Sequence, residues 1–234
     1  MSDSLKRAAA EAALDQVRDG MVLGLGTGST ARLMVAALGE RVRAGLRIVG
    51  IPTSDATAQQ ASAVGIELTD FAAHPVIDLT IDGADEVHAG SLGLIKGLGG
   101  ALLREKIVAA ASRRMTVIVD EGKLVEGLGR KTRLPVEIVP FGWQTTAARL
   151  AETGADPLLR GGDTPFRTDG GNLILDCRYP GIDDPAALHA RLKSLTGVVE
   201  TGLFIGFATT VIVGTADGLM TVGTADGPRT VERA

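Results

Sequence analysis

The feature that most constrains this chain is an alternation of short apolar runs, each ending in glycine or acidic turn residues, with helical stretches of about ten residues. Met21 to Leu25, between Asp19-Gly20 and Gly26, is too short for a helix and apolar throughout, which predicts a strand buried on both faces. Arg47–Ile51, Ile66–Leu68, Val76–Ile81, Leu92–Lys96 and Met115–Val119 repeat the theme. Between them, Ala31–Leu38, Ala56–Val64 (behind the capping run Thr53-Ser54-Asp55) and Ala101–Ser112 carry helical spacing. An amphipathic helix precedes them, with Leu5, Ala8, Ala9, Ala12, Ala13 and Val17 on one face. Such βαβ units predict an α/β fold with a Rossmann-like, mostly parallel sheet.

The texture changes after about residue 130, and the runs there predict a smaller ferredoxin-like α+β module of order β-α-β-β-α-β. They are Leu134–Val139 with Pro135 and Pro140 at its ends, the helix Gln144–Thr153, a weak strand Leu158–Arg160, Asn172–Cys177, a helix from Asp184 to Leu195, and Val198–Phe204. Thr209–Gly214 and Leu219–Val222 look like strands of the first sheet. The expected domains are therefore 1–129 with 206–234, and 130–205 between them. Val-Gly-Thr-Ala-Asp-Gly begins at Val213 and again at Val222, which predicts successive turns rather than a solenoid.

Composition narrows the function. Lys and Arg number 24 against 28 Asp and Glu, a net −4, with no basic cluster, which argues against nucleic acid. Cys177 is the one cysteine and His74, His88 and His189 lie far apart, so no local metal-ligand spacing exists and no metal is expected. No apolar run approaches the roughly 18 residues of a membrane span. Asp3, Glu11 and Asp15 interrupt the first helix where a signal peptide would be uncharged, so the expected location is cytoplasmic. Cys177 and His74 read as a small core side chain and a surface residue, Phe141 and Trp143 as packing at a domain junction.

Four polar clusters sit at predicted strand ends, where open parallel sheets bind ligands. Gly24-Leu25-Gly26-Thr27-Gly28-Ser29-Thr30 joins a strand to a helix and suits either a phosphate or a structural tight turn. It has Ser29 where a dinucleotide fingerprint needs glycine, and it lacks the Gly-Lys-Ser/Thr of a P-loop. Asp82-Gly83-Ala84-Asp85 offers carboxylates for sugar hydroxyls and proton handling, or an Asx-turn with a helix cap. Lys96-Gly97-Leu98-Gly99-Gly100 holds an ammonium at a strand end, where burial calls for an anion, and Glu105 follows as a general base or a helix-dipole partner. Asp120-Glu121-Gly122-Lys123 ends the last run with a second phosphate ligand or a solvated turn. All four are expected at the ends of one sheet, converging on one crevice.

These motifs in this order resemble ribose-5-phosphate isomerase type A: Gly24–Ala31, Asp82–Glu86, Lys96–Ala101 with Arg104-Glu105-Lys106, and Leu134–Phe141. The likeness continues through Thr168–Asp176 and Gly202-Leu203-Phe204; Leu98 departs from the glycine usual in the family. The resemblance implies cofactor-free interconversion of D-ribose 5-phosphate and D-ribulose 5-phosphate through a cis-enediolate, in the non-oxidative pentose phosphate pathway. It implies Glu105 as base, Lys96 stabilising negative charge, and Asp82 assisting ring opening. Asp85, with Gly83, Ala84, Gly97, Leu98 and Gly99, would line the sugar. Thr27, Gly28, Ser29 and Thr30 would hold the phosphate with Lys123 and Lys6. It also implies a homodimer or homotetramer. Alternatives on this scaffold are a sugar-phosphate-sensing regulator domain, which would need a DNA-reading helix, an amino-sugar-phosphate deaminase, or a coenzyme A transferase.

Overall fold

The computed structural model describes residues 2–223. In chain order the elements are α1 (Ser2–Ala13), β1 (Val22–Leu25), α2 (Ser29–Arg43), β2 (Val49–Pro52), α3 (Asp55–Ala63), β3 (Glu67–Leu68) and β4 (Leu79–Asp82). Then come β5 (Glu86–His88), β6 (Gly93–Ile95), α4 (Leu102–Ala110), β7 (Met115–Asp120), β8 (Leu124–Val125), β9 (Leu134–Ile138), α5 (Trp143–Ala151) and β10 (Asp156–Leu159). β11 (Leu173–Arg178), α6 (Pro185–Lys193), β12 (Val198–Thr201), β13 (Leu203–Phe204), β14 (Thr210–Thr215) and β15 (Gly218–Gly223) complete the order. They form two compact units, one from the described residues of Met1–Ala84, Arg104–Lys123 and Gly206–Ala234, the other from Asp85–Leu103 and Leu124–Ile205.

The first unit is a seven-stranded sheet of order β15-β14-β7-β4-β1-β2-β3, parallel except for the edge strand β15. β1 shows why its runs are apolar throughout. Leu23 and Leu25 enter one core with Ala9, Ala13, Met34, Leu38 and Ile81, while Val22 enters another with Ile51, Ile77 and Val108. Both faces are covered, so the strand has no polar side. α1 is alanine-rich because it lies almost on the sheet: a Cβ at Gly214 would fall 2.1 Å from the Leu5 carbonyl oxygen. β14 pairs in parallel with β7, so the chain does return to the first sheet. The first repeated hexapeptide forms the β14–β15 turn, and the second runs beyond the described residues.

The second unit contains two antiparallel-rich sheets. β10-β11-β9-β12 with α5 and α6 realises the β-α-β-β-α-β order, around Val136, Ile138, Leu173, Leu175, Cys177, Leu150 and Leu192. β13-β6-β5-β8 is a separate sheet. Two expectations change here. The Leu92–Lys96 run belongs to this second sheet and not to the parallel one. The Val198–Phe204 run divides at Gly202 into β12 and β13, each in a different sheet. Gly202 is where the backbone turns between them: its N–H donates to the Pro135 carbonyl (2.7 Å), its own carbonyl accepts from Lys96 N (2.9 Å), and a Cβ would fall 2.2 Å from the Lys96 carbonyl. Phe141, expected in a junction, is 95% exposed, whereas Trp143 packs on the core of the second unit.

Glu86, at the start of β5, is fully buried as an anchor. Its carboxylate accepts from the N–H groups of Gly129 (2.7 Å), Lys131 (2.8 Å) and Thr132 (2.6 Å) and from the Thr132 hydroxyl (3.0 Å). These bonds compensate a buried charge that would otherwise be costly.

Cys177 is wholly buried, and burial, with the Asp176 carboxylate adding to it, pushes the thiol from its ordinary 9.0 up to about 12. The folded chain therefore disfavours the thiolate. This contribution to stability is complete below pH 9 and is lost as pH rises from there towards 12. At pH 8 the native chain should resist a disulfide reagent such as Ellman's, and react fully once unfolded in guanidinium; rapid labelling of the native chain would contradict the burial.

Candidate active site

β1 and β4 approach so closely that side chains cannot stand between them. A Cβ at Gly24 would lie 1.9 Å from Thr80 Oγ1, and one at Gly26 would lie 2.2 Å from Asp82 Oδ1. The glycines let the loop after β1 rest directly on the Asp82 carboxylate at the end of β4. Asp82 is 0% exposed, and its Oδ1 accepts from the N–H groups of Thr27 (3.0 Å) and Gly83 (2.7 Å). Two amide donors on one oxygen hold a buried carboxylate in a single orientation.

The same loop opens α2. Gly28 adopts φ 112° at the N-cap, a conformation that favours glycine, and offers no side-chain cap. The first helical bond runs from Arg32 N to the Gly28 carbonyl (2.9 Å), so the N–H groups of Ser29, Thr30 and Ala31 have no helical acceptor. Thr27 Oγ1 is the centre of a hydroxyl cluster with Thr53 Oγ1 (2.7 Å), Ser54 Oγ (2.8 Å) and Thr57 Oγ1 (3.1 Å). Thr53 and Thr57 in turn donate to the Leu25 and Gly26 carbonyls, both at 3.0 Å, while Ser54 caps α3 through Thr57 N (3.1 Å). A cleft of about 380 Å³ opens beside the loop, lined by Thr27, Gly28, Ser29, Arg32, Thr57 and Gln60 among others.

Glu105 stands in the first turn of α4 and is 4% exposed. The helix is located against the sheet by its other end. Ser112, just past it, bonds Thr80 (2.6 Å), and Val108 fills the space over Gly24. Glu105, three residues before Val108 on the same helical face, therefore stands one turn further towards the carboxyl end of the sheet. Arg104 ties this end of α4 to the start of α3 through Asp55 (2.6 Å). Lys123 closes a 3₁₀ turn after β7, the parallel neighbour of β4. The ends of β1, β4 and β7 thus present the glycine loop, Asp82 and Lys123 along one edge of the sheet. Lys6 lies half-buried on α1, and neither its ammonium nor that of Lys123 has an acceptor among the described residues.

In the second unit Lys96 follows β6 and is 2% exposed, with Nζ 5.6 Å from the centre of the Phe204 ring. Asp85 N donates to the Ile95 carbonyl (2.8 Å), and its Oδ2 accepts from Leu98 N (2.9 Å), so the acid and the lysine loop are joined. Gly97 and Gly100 have φ of 107° and 85°. Leu98 does not share this positive φ, so a side chain is tolerated there. Gly83 and Ala84 form the half-buried link between Asp82 and Asp85.

Three of the four clusters thus lie at ends of the parallel sheet, and the lysine loop belongs to the other unit. Sequence reasoning missed Thr57, Arg32 and Gln60, and read Thr53 only as part of a helix cap. The signal was present as three hydroxyl residues, Thr53, Ser54 and Thr57, where one suffices for capping. Among the described residues no group of three or more His, Cys, Asp or Glu is gathered to hold a metal ion.

Residues 49–218 match the family model of ribose 5-phosphate isomerase A (phosphoriboisomerase A). The chain is 59% identical over 218 residues to ribose-5-phosphate isomerase A of Gloeobacter violaceus, covering 93% of this chain and 95% of that one. The Gluconobacter oxydans protein of the same name is 54% identical over 217 residues, covering 92% and 94%. The chain belongs to the ribose 5-phosphate isomerase A family. Its fold is that of solved relatives. A D-ribose-5-phosphate isomerase in complex with phospho-erythronic acid superposes with a TM-score of 0.93 at 39% identity, over 96% of this chain and all of that one. The Methanocaldococcus jannaschii isomerase gives 0.91 at 41% identity, over 94% and 99%. As a member of this family the chain is an enzyme, an aldose–ketose isomerase.

Gly26→Ala tests the close approach. The added methyl displaces Asp82, so isomerase activity should fall roughly 10–100-fold while stability drops by about 1–3 kcal/mol. Initial rates and thermal melting measure the two effects; a wild-type rate would place Asp82 outside the reaction.

Proposed function

We propose that this chain interconverts D-ribose 5-phosphate and D-ribulose 5-phosphate by moving a proton between carbons 2 and 1 through a cis-enediolate. Carbon-bound hydrogen beside a carbonyl is weakly acidic, so the reaction needs a base at the carbon and stabilisation of the oxyanion that forms. Glu105 is the base in this reading: it takes the proton from carbon 2 of the open-chain aldose and returns it to carbon 1, leaving the ketose. Asp82 assists ring opening and the movement of a proton between the two oxygens. To Lys96 we assign stabilisation of the developing negative charge, a contribution on the order of 3 kcal/mol for a well-placed group. Asp85, Gly83, Ala84, Gly97, Leu98 and Gly99 bind sugar hydroxyls.

The phosphate is assigned to Thr27, Gly28, Ser29 and Thr30. The uncapped first turn of α2 supports this, because its free N–H groups and the positive helix end favour an anion. Lys123 and Lys6 are the proposed cationic partners. No metal or organic cofactor has a part in this route. The observation that carries the proposal is a buried carboxyl, Glu105, at the head of a helix in a chain whose curated relatives bear the isomerase name. Those relatives leave the regulator and deaminase readings unsupported. We place the enzyme in the cytoplasm, where one buried thiol and no disulfide are at home, and as a homodimer or homotetramer on the family resemblance. No helix among the described residues is long and apolar enough to cross a membrane.

The direct test is purified protein with ribose 5-phosphate, following ketose formation with and without chelator; turnover should persist with chelator present, and absence of ketose would end the proposal. Glu105→Gln should bind substrate nearly as well yet lose roughly 10²–10⁴-fold in kcat. Near-normal turnover in that variant would remove Glu105 from the base role. Lys123→Ala should raise KM roughly tenfold with kcat largely kept, as expected for one charge-assisted phosphate contact. An unchanged KM would separate Lys123 from the phosphate.

A further inference from the structure

Arg160, just past β10, uses all three guanidinium nitrogens within the second unit. Its Nε and Nη2 form a two-point pair with Asp176 on β11 (2.9 and 2.5 Å), and both side chains are largely buried. Its Nη1 donates to two successive backbone carbonyls of the lysine loop, Gly97 (2.9 Å) and Leu98 (3.0 Å). The guanidinium also lies 5.8 Å from the centre of the Phe166 ring. That ring closes on the far end of the same loop, where a Cβ at Gly100 would fall 2.4 Å from it.

These contacts determine which way the loop's amides point. A trans peptide directs its N–H opposite its C=O. With the Gly97 carbonyl turned to Arg160, the Leu98 N–H is turned to Asp85, where it is found at 2.9 Å. With the Leu98 carbonyl also turned to Arg160, the Gly99 N–H points away from the guanidinium and has no acceptor among the described residues. Gly97 and Gly100, both at positive φ, give this segment little intrinsic preference for one conformation; beyond the single turn bond from Gly100 N to the Gly97 carbonyl (3.0 Å), the hold comes from the side chains that reach it.

We propose that Arg160, oriented by Asp176, is the positioning residue of the Lys96–Gly100 loop, holding Lys96, Asp85 and the Gly99 N–H in the arrangement the reaction uses. The proposal rests on the isomerase reading through the role given to Lys96. Lysine cannot substitute, because a single ammonium lacks the planar fork that reaches a carboxylate and two carbonyls at once.

The test compares Lys96→Ala, Arg160→Lys, Arg160→Ala and Asp176→Asn in the full chain, with kcat and KM for ribose 5-phosphate and a melting curve for each. Arg160→Lys should stay folded, lose roughly 10–100-fold in kcat and shift KM by much less, since misplacing a loop by about 1 Å costs on that order. Asp176→Asn should show the same split more weakly. Millimolar guanidinium should restore part of the rate to Arg160→Ala, a recovery that a purely structural defect would not show. Should Arg160→Lys fail to fold, Asp176→Asn and the guanidinium rescue decide the matter. Folded variants with wild-type kcat, or losses that only follow the unfolded fraction, overturn the positioning role. If Lys96→Ala itself keeps full turnover, it is the role of Lys96 that fails; if that variant is inactive while the Arg160 variants are normal, only the positioning role fails.

Discussion

A fully buried carboxylate is tolerable only if its partners are already in place, and in the parallel-sheet unit Asp82 imposes that condition on everything around it. Its Oδ1 needs the Thr27 and Gly83 amides, which requires the loop after β1 to lie on β4, which in turn requires glycine at 24 and 26. The loop then has no room to move without breaking the Thr27 amide bond to a buried carboxyl group, which costs about 1–3 kcal/mol. The uncapped first turn of α2 inherits its position from this contact. So does the Thr27 hydroxyl, the hub of the Thr53, Ser54 and Thr57 cluster. A hydroxyl network of this kind fixes the loop's conformation in advance, the kind of preorganisation on which electrostatic catalysis depends.

The second unit solves the same problem with different chemistry. Its loop is built from glycines at positive φ, closed by one turn bond from Gly100 N to the Gly97 carbonyl, and is fastened further by side chains that reach it: Asp85 at one amide, Arg160 at two carbonyls, Phe166 against Gly100. Glu86 acts similarly on the 129–132 segment. In both units, then, a charged group is buried where it fastens irregular backbone, and the regular elements supply the rigid ground from which it reaches.

Much of this was legible in the residues. Runs such as Met21–Leu25 declare a strand covered on both faces, and the switch in texture near residue 130 marks a module of different architecture, as β9 to β12 with α5 and α6 bear out. Local patterns do not report which sheet a short strand joins. Leu92–Lys96 reads like any other apolar run, yet it pairs with its chain neighbour β5 on one side and, on the other, with β13, whose residues lie more than a hundred positions on. β5 itself was hidden, because Glu86 looks like one more polar turn residue until its carboxylate is seen satisfied by backbone amides. The candidate site divides in the same way: glycines and acids stand out as motifs, whereas Thr57 and Arg160 act through bonds between distant segments and leave no local signature.

Leu98 illustrates how a motif can be read too literally. A run of glycines suggests that each is needed for conformational freedom, which would make leucine within it a defect. The backbone shows otherwise. Gly97 and Gly100 carry the positive φ, and among the described non-glycine residues only Leu92 does so. Position 98 needs only its amide for Asp85 and its carbonyl for Arg160, and both are backbone groups that any residue but proline supplies. The side chain is 44% exposed and takes no part in either bond. What the loop demands at this position is peptide orientation, and a leucine held at both ends of its backbone meets that demand as well as a glycine would.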